Sequence, residues 1–299
     1  MIGASSSALF KASNDRVYVV SLQDFLLSND WLASEFIARK LAYAVGLPVP
    51  DVELIQVDQW LIDHSLEMSQ NIKPWLLTQP LRVKWHAPSQ HKRRRGGVQL
   101  GSRYLVAPVQ GNIFDYFPEK MLSRVRNLDA FAAVLAFDIW TNMTEPRRAV
   151  FWKTTMDTLY SVAFVDVHAR LLPAPISIAQ RTADPGQVGL YIHKGVYQHI
   201  TGWHDFESIV SSVERSDRRT LENIVSEIPP CWNVEPRKLS ALLRVLEARK
   251  ATLGDLLSRY LVAMPHVFPN WRDRRYGPAR EPAPHSCELG LQRRIGCRT

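Results

Sequence analysis

Three consecutive serines near the start of the chain carry groups that can bind a phosphate. Ser5, Ser6 and Ser7 follow Gly3, and their hydroxyl and backbone N–H groups can donate hydrogen bonds to phosphate oxygens. The segment lacks the spaced glycines of the Gly-x-Gly-x-x-Gly loops that surround phosphates, because it contains Gly3 alone. A flexible chain terminus is the alternative interpretation of the same residues.

Two basic segments could also bind phosphates or nucleic acid. The formal net charge is +8, and half of this excess lies between Met264 and Thr299, where seven Arg oppose three Asp or Glu. A second cluster runs from His91 to Gly97 with the sequence HKRRRGG, which is typical of an exposed loop. Such clusters attract polyanions electrostatically. A solvated charged loop is the commoner explanation of a run of this kind.

The composition predicts a globular protein with one large domain or two lobes. The chain has 299 residues, of which 46% are hydrophobic and 22% are charged. No stretch reaches the roughly 18 uninterrupted apolar residues of a membrane span, and the first residues lack the features of a signal peptide. Cys231, Cys287 and Cys297 show no metal-binding spacing and cannot form a disulfide framework. These features predict a cytoplasmic location without a membrane partner.

The first third of the chain is predicted to be rich in strands. Two β-rich runs, 8–12 and 16–22, flank the turn-forming residues 13–15 and predict a hairpin. Apolar residues at helical spacing predict a helix over 31–45, which Gly46 ends. The remaining predicted elements of this part are a strand in 51–62, a loop over 63–97 and a strand in 98–106.

Helical patterns become more frequent after residue 108. The predicted elements are a helix at 128–140, strands at 149–153 and 159–165, and helices at 205–215, 219–228 and 236–262. A strand-rich half followed by a helix-rich half predicts an α+β architecture with two lobes. We expect an N-terminal lobe at 1–108, a helical lobe at 109–262 and a disordered tail rich in Pro and Arg at 263–299.

Seven segments spread over most of the chain match a known family in their order and motifs. They are Gly3–Leu22, Leu32–Pro50, Leu100–Leu105, Phe137–Thr141, Ala149–Trp152, Phe164–Asp166 and Ile228–Trp232. In this set the chain resembles the HipA-like kinases, which have a bilobal protein-kinase-like fold. The resemblance implies a β-rich N-lobe, a helical C-lobe and binding of ATP and Mg²⁺. It also implies phosphoryl transfer to a Ser or Thr hydroxyl in a bacterial, toxin-related setting.

The resemblance places the nucleotide-binding residues in the N-lobe. The strand lysine that pairs with the α- and β-phosphates would stand at Ser21, where the serine has no charge and a shorter reach. Glu35 is similar in position to the helix glutamate that orients this lysine. Lys11, on the preceding strand, could supply the cation from another direction or could be a solvent-facing lysine. Ser5 and Ser6 would contact the phosphates.

The catalytic loop departs further from the family pattern. Glu145 takes the position of the catalytic aspartate, and its additional methylene moves the carboxylate by roughly an ångström, which can slow a reaction about 10²-fold. Pro146 fixes the adjacent backbone and removes an N–H group. Arg148 stands near a polar, metal-facing position, where a guanidinium would repel Mg²⁺. Asp166 keeps the position of the metal-binding aspartate, with an ordinary strand-end aspartate as the alternative.

Three functional hypotheses follow from these residues. The leading hypothesis is a HipA-like pseudokinase that binds ATP and Mg²⁺ weakly or serves as a scaffold for a protein partner. The second is an active Ser/Thr-type phosphotransferase that uses Lys11 and Glu145. The third is a basic module that binds nucleic acid or a partner through the cluster at 92–95 and the Arg-rich tail. Affinity that falls steeply with salt would favour this third hypothesis.

Overall fold

The computed structural model describes residues 7–24, 29–64, 94–107, 110–165, 171–172 and 188–273. The strands are β1 (Ser7–Lys11), β2 (Val17–Asp24), β3 (Val52–Val57), β4 (Arg94–Arg103), β5 (Gly111–Phe114), β6 (Arg148–Thr154) and β7 (Ser161–Val165). The α-helices are α1 (Asp30–Ala44), α2 (Ala130–Thr141), α3 (His204–Arg215), α4 (Arg218–Ser226), α5 (Pro236–Ala251) and α6 (Leu253–Ala263). Short 3-10 helices lie at Glu119–Arg124, Lys194–Tyr197, Pro230–Trp232 and Pro265–Val267. The predicted α+β class, with a β-rich N-lobe and a helical C-lobe, is confirmed.

The sheet of the N-lobe is antiparallel and has the strand order β1-β2-β4-β3. Its first hairpin turns at Asp15, whose φ of 62° suits a short polar side chain. The pairing of β2 with β4 shifts register between Ser21 and Gln23. The buried side chain of Gln99 fills this irregularity, because its Oε1 accepts a hydrogen bond of 2.7 Å from the Gln23 N–H. A bulge of this kind changes the direction of neighbouring side chains, and here it lies beside Ser21.

The predicted loop over 63–97 is wrong for its last residues. Residues 94–97 form the beginning of β4 and pair with β2 and β3. Gly96 permits a close approach of two chain segments, since a Cβ there would lie 2.8 Å from the backbone nitrogen of Gln59. Arg94 is buried, whereas Arg95 is exposed. The described end of the basic cluster is therefore part of the sheet, and residues 65–93 lie outside the described residues.

One hydrophobic core crosses the predicted lobe boundary at residue 108. Helix α1 is buried along most of its length, and its apolar side chains share a cluster with those of α2, α5 and α6. Trp232 packs edge-on against Phe36, with ring centroids 6.1 Å apart. The indole Nε1 of Trp232 donates a 2.8 Å hydrogen bond to the Val98 carbonyl on β4. A second, smaller cluster lies within the N-lobe and includes Tyr18 and Val20.

Helix α2 lies at the centre of the helical lobe, with every residue except Ala133 buried. The fully buried Arg249 on α5 donates hydrogen bonds of 3.0 and 3.1 Å from Nε to the carbonyls of Ile139 and Trp140. These bonds satisfy carbonyl groups that the end of a helix leaves without intrahelical partners. The single helix predicted at 236–262 is two helices, which Thr252 separates. Among the described residues, none of the helices combines the length and apolar character that crossing a membrane requires.

The packed chain extends past residue 263, where the tail was predicted to begin. Val267 and Phe268 are buried in the main core. Trp271 contacts Phe206, with ring centroids 6.3 Å apart, and the Arg272 N–H donates a 2.8 Å hydrogen bond to the Thr201 carbonyl. The apolar residues of this segment are too widely spaced for a periodic pattern. Residues 274–299 lie outside the described residues.

Candidate functional site

Ser21 on β2 and Glu35 on α1 meet in the interior of the N-lobe. The Ser21 hydroxyl points at the Glu35 carboxylate, with 3.5 Å between Oγ and Oε2, the long limit of a hydrogen bond. Both residues are buried, with 6% and 4% of their surfaces exposed. The pairing of sheet and helix thus brings together the two positions that the resemblance assigned to a lysine and its orienting glutamate.

Arg39 is a residue of this site that the sequence analysis missed. Its Nη2 lies 3.1 Å from Oε1 of Glu35, one helical turn away, and the side chains of both residues are at most 5% exposed. Its Nη1 donates a 2.9 Å hydrogen bond to the Ser102 hydroxyl on β4. The spacing of four residues between Glu35 and Arg39 was the available signal, since such pairs share a helix face.

The loop that carries Glu145 begins where α2 ends. Asn142 closes the helix in the left-handed conformation, with a φ of 58°, and the Met143 N–H donates a 2.8 Å hydrogen bond to the Asp138 carbonyl. Glu145 and Pro146 are exposed, and so is Arg148 at the start of β6. The loop therefore presents the Glu145 carboxylate to solvent.

A buried ion pair anchors this loop to the body of the lobe. Arg147 at the end of the loop donates two hydrogen bonds to Asp138 on α2, one of them 3.1 Å from Nε to Oδ2 and the other from Nη2 to Oδ1. Both side chains are at most 2% exposed. Burial raises the pKa of Asp138 to about 6, although Arg147 acts in the opposite direction. Neither residue was among the predicted site residues.

The backbone of Gly189 lies in contact with the backbone of the same loop. Its carbonyl accepts a 3.2 Å hydrogen bond from the Arg147 N–H, and its own N–H donates one of 3.4 Å to the Met143 carbonyl. A Cβ at this position would overlap the backbone carbonyl of Glu145. Glycine is therefore required here by the approach of two backbones.

Replacing Gly189 with alanine is expected to displace the loop and to destabilise the protein by about 1–3 kcal/mol, the usual cost of overpacking. Chemical denaturation measures the effect. Gly254→Ala on α6 is the matched control, because a Cβ there would lie 3.9 Å from the nearest atoms, those of Trp203. Equal stability of the two variants would contradict the close approach at Gly189.

The other predicted site residues do not join these groups in the described structure. Lys11 lies at the tip of the first hairpin with its Nζ 2.8 Å from Asp15, and its side chain is 67% exposed. Strand β7 ends at Val165, opposite Arg148 on β6. Asp166, Ser5 and Ser6 lie outside the described residues.

Two further features lie apart from the predicted site. The described residues contain no cluster of three or more His, Cys, Asp or Glu side chains that could hold a metal ion. A surface cavity of about 470 Å³ is lined by Tyr116, Glu119, His193 and Lys194, among others, and by none of the predicted site residues. The candidate site therefore consists of the Ser21–Glu35 contact and the loop that carries Glu145, and this cavity lies apart from it.

Known proteins similar to this chain are found by structure and not by sequence. No family model and no curated protein matches the sequence. The proinflammatory kinase CtkA of Helicobacter pylori is similar in fold, with a TM-score of 0.50 and 12% identity over 86% of this chain and 91% of that chain. The toxin–antitoxin protein HipA of Shewanella oneidensis, solved with HipB and operator DNA, has a TM-score of 0.45 and 10% identity over 85% and 65% of the two chains. The chain therefore shares the fold of the kinase CtkA.

Proposed function

We propose that this protein is a pseudokinase that binds Mg²⁺–ATP weakly and transfers phosphate slowly or not at all. The observation that supports this most directly is the contact of Ser21 with Glu35 at 3.5 Å. In kinases of this fold, a strand lysine forms an ion pair with the helix glutamate and holds the nucleotide phosphates. In this chain the helix residue that faces the strand is Glu35, and the strand residue that faces it, Ser21, is neutral.

The missing charge bears on the affinity for nucleotide. A charge-assisted hydrogen bond contributes on the order of 1.5–3 kcal/mol, which corresponds to a factor of about 10 to 150 in affinity. The cation that does pair with Glu35 is Arg39, and it is buried between α1 and β4. We therefore expect Mg²⁺–ATP to bind more weakly than it would with a lysine at position 21.

The loop residues bear on the transfer step. Glu145 is the carboxylate proposed to orient an attacking hydroxyl, and Asp166 is the ligand proposed to hold Mg²⁺. Arg148 places a cation at the first residue of β6, opposite the last residue of β7, where an oxygen ligand would favour the metal. With Glu145 and Arg148 at these positions, we expect the protein to keep its fold and to transfer phosphate slowly or not at all.

The competing proposal is a fully active kinase that uses Lys11. The position of the Lys11 ammonium supports this proposal less well. The Lys11 ammonium forms an exposed ion pair with Asp15 at the hairpin tip. Exposed pairs of this kind contribute little to stability, so the lysine is free to exchange partners. Lys11 pairs with Val17, four residues from Ser21 on the same face of the hairpin. To act on phosphates beside Ser21, it would have to leave this ion pair and span roughly 13 Å along the strand.

Titration with ATP in the presence and absence of Mg²⁺, combined with an autophosphorylation assay, tests the proposal. We expect weak binding that depends on Mg²⁺, loss of this dependence in Asp166→Asn, and no detectable phosphate incorporation. Rapid autophosphorylation would contradict the loss of activity, and Lys11→Met would then show whether Lys11 is responsible. Binding of DNA that is indifferent to ATP and falls steeply with salt would support the basic module instead.

A further inference from the structure

The buried carboxylate of Glu35 has one cationic partner within the described structure. Ser21 Oγ approaches its Oε2 at 3.5 Å, and Arg39 Nη2 approaches its Oε1 at 3.1 Å. A buried carboxylate needs a compensating charge, because an unpaired ion in the interior is strongly destabilising. On the β2 side the carboxylate contacts a neutral hydroxyl, and on the α1 side it contacts the cation that compensates its charge.

Arg39 also joins two elements that a lysine on β2 would not join. One nitrogen of its guanidinium binds Glu35 and another binds Ser102 on β4, the strand that pairs with both β2 and β3. The planar guanidinium holds both partners in a fixed geometry, which a lysine ammonium cannot reproduce. Helix α1 is thus tied to the centre of the sheet.

Two exposed or half-exposed ion pairs tie the same helix to the helical lobe. Lys40 lies 2.6 Å from Glu227 after α4, and Asp30 lies 2.5 Å from Lys238 on α5. The helix that carries Glu35 therefore has charged contacts to the sheet on one side and to the helical lobe on the other. None of these contacts involves a residue at the position of the strand lysine.

We propose that Arg39 is a positioning residue that has taken over the pairing with Glu35 from position 21 and holds α1 against β4 whether or not nucleotide is bound. In this protein the cation lies on α1 and the serine on β2, and both contact the same carboxylate. The orientation of α1 in this protein is consequently independent of the nucleotide site. This role of Arg39 rests on the proposed function. Its main test measures the thermal stability of the protein and not the binding of nucleotide.

The test moves the cation that pairs with Glu35 from α1 to β2. Arg39→Met is expected to lower the Tm by about 10 °C, because Glu35 loses its counter-ion. Ser21→Lys alone also lowers the Tm, since a second cation enters beside Arg39. The double variant Ser21→Lys/Arg39→Met is expected to recover at least half of the larger loss. Lys40→Met is the matched control, because Lys40 is the adjacent, partly exposed lysine and its removal should neither lower the Tm strongly nor rescue Ser21→Lys.

Recovery of the Tm in the double variant supports the proposed role of Arg39. A double variant whose Tm falls by the sum of the two single losses would overturn it. If Ser21→Lys does not fold, Glu35→Gln and Arg39→Met decide the question: the pair combined should cost no more than the larger single change. Additive losses would again overturn the inference. Titration of the double variant with Mg²⁺–ATP tests the proposed function separately, with affinity expected to rise about tenfold or more over the wild type. Recovered Tm without any nucleotide binding would leave the role of Arg39 intact and contradict nucleotide binding.

Discussion

Replacing Arg147 with methionine is expected to lower the free energy of unfolding at pH 7 by about 3–5 kcal/mol, the usual cost of leaving one partner of a buried ion pair alone. Asp138 is fully buried, and Arg147 is the group that lowers its pKa against the effect of burial. The loop that carries Glu145 would also lose its anchor to α2. Denaturation with urea measures the change. A loss below about 1 kcal/mol would mean that solvent reaches the Asp138 carboxylate.

The double variant Asp138→Asn/Arg147→Met is the control, and most of the stability should return, because no charge remains buried. Comparison of the wild type with this double variant also isolates the pH dependence of stability that Asp138 causes. Asp138 has a raised pKa, from 3.8 to about 6, so the contribution of its protonated form to stability is present below pH 4 and is lost as the pH rises through 6. The wild type should therefore lose about 2 kcal/mol relative to the double variant between pH 4 and pH 7. Parallel pH profiles would contradict the raised pKa.

Restoring the altered residues is expected to increase autophosphorylation by about 10²-fold or more. The changes are Ser21→Lys, Arg39→Met, Glu145→Asp and Arg148→Gln. The first two place a cation on β2 without crowding Glu35. The last two shorten the carboxylate proposed to orient the hydroxyl and remove a charge beside the proposed metal site. Residues that act as a unit combine non-additively, so the four changes must be assayed together as well as singly.

The control for this experiment is Asp166→Asn in the restored protein, which should abolish the gain because Mg²⁺ would lose its proposed anionic ligand. The version that keeps Arg39 is a second control and should be less stable and less active. A wild type as active as the restored protein would show that the present residues suffice. A restored protein that binds nucleotide but remains inactive would identify Met143 and Pro146 as the obstacle, since both change the loop and neither is substituted.

Most regular elements could be predicted from local patterns in the chain. The hairpin of β1 and β2, helix α1, and helices α2 to α4 lie within a few residues of their predicted bounds. Alternation of apolar residues and helical spacing are properties of neighbouring residues, so a single sequence is sufficient to detect them. The helical pattern predicted at 236–262 is confirmed, but the helix is broken at Thr252. Gly254 lies two residues later, inside α6, and does not mark the position of the break.

The errors occurred where a segment depends on distant partners. Residues 94–97 have a basic, glycine-rich sequence typical of a loop, and they form a strand because β2 and β3 lie on either side of them. Val267 and Phe268 lie in a segment with a sparse apolar pattern, and they are buried because the helical lobe covers them. Local propensity is a weak signal, and tertiary contacts override it at both places.

The sequence by itself determined the α+β class, the order of the elements and the resemblance to HipA-like kinases, including the serine in place of the strand lysine. Only the tertiary structure decided which charged groups are buried and what they contact on other elements. Glu35 and Arg39 meet Ser21 and Ser102 because a helix and two strands pack together. Arg147 meets Asp138 because the loop folds back on α2. A charge on a side chain is visible in a sequence, but its partner depends on burial and on distances between elements, and these exist only in the folded chain.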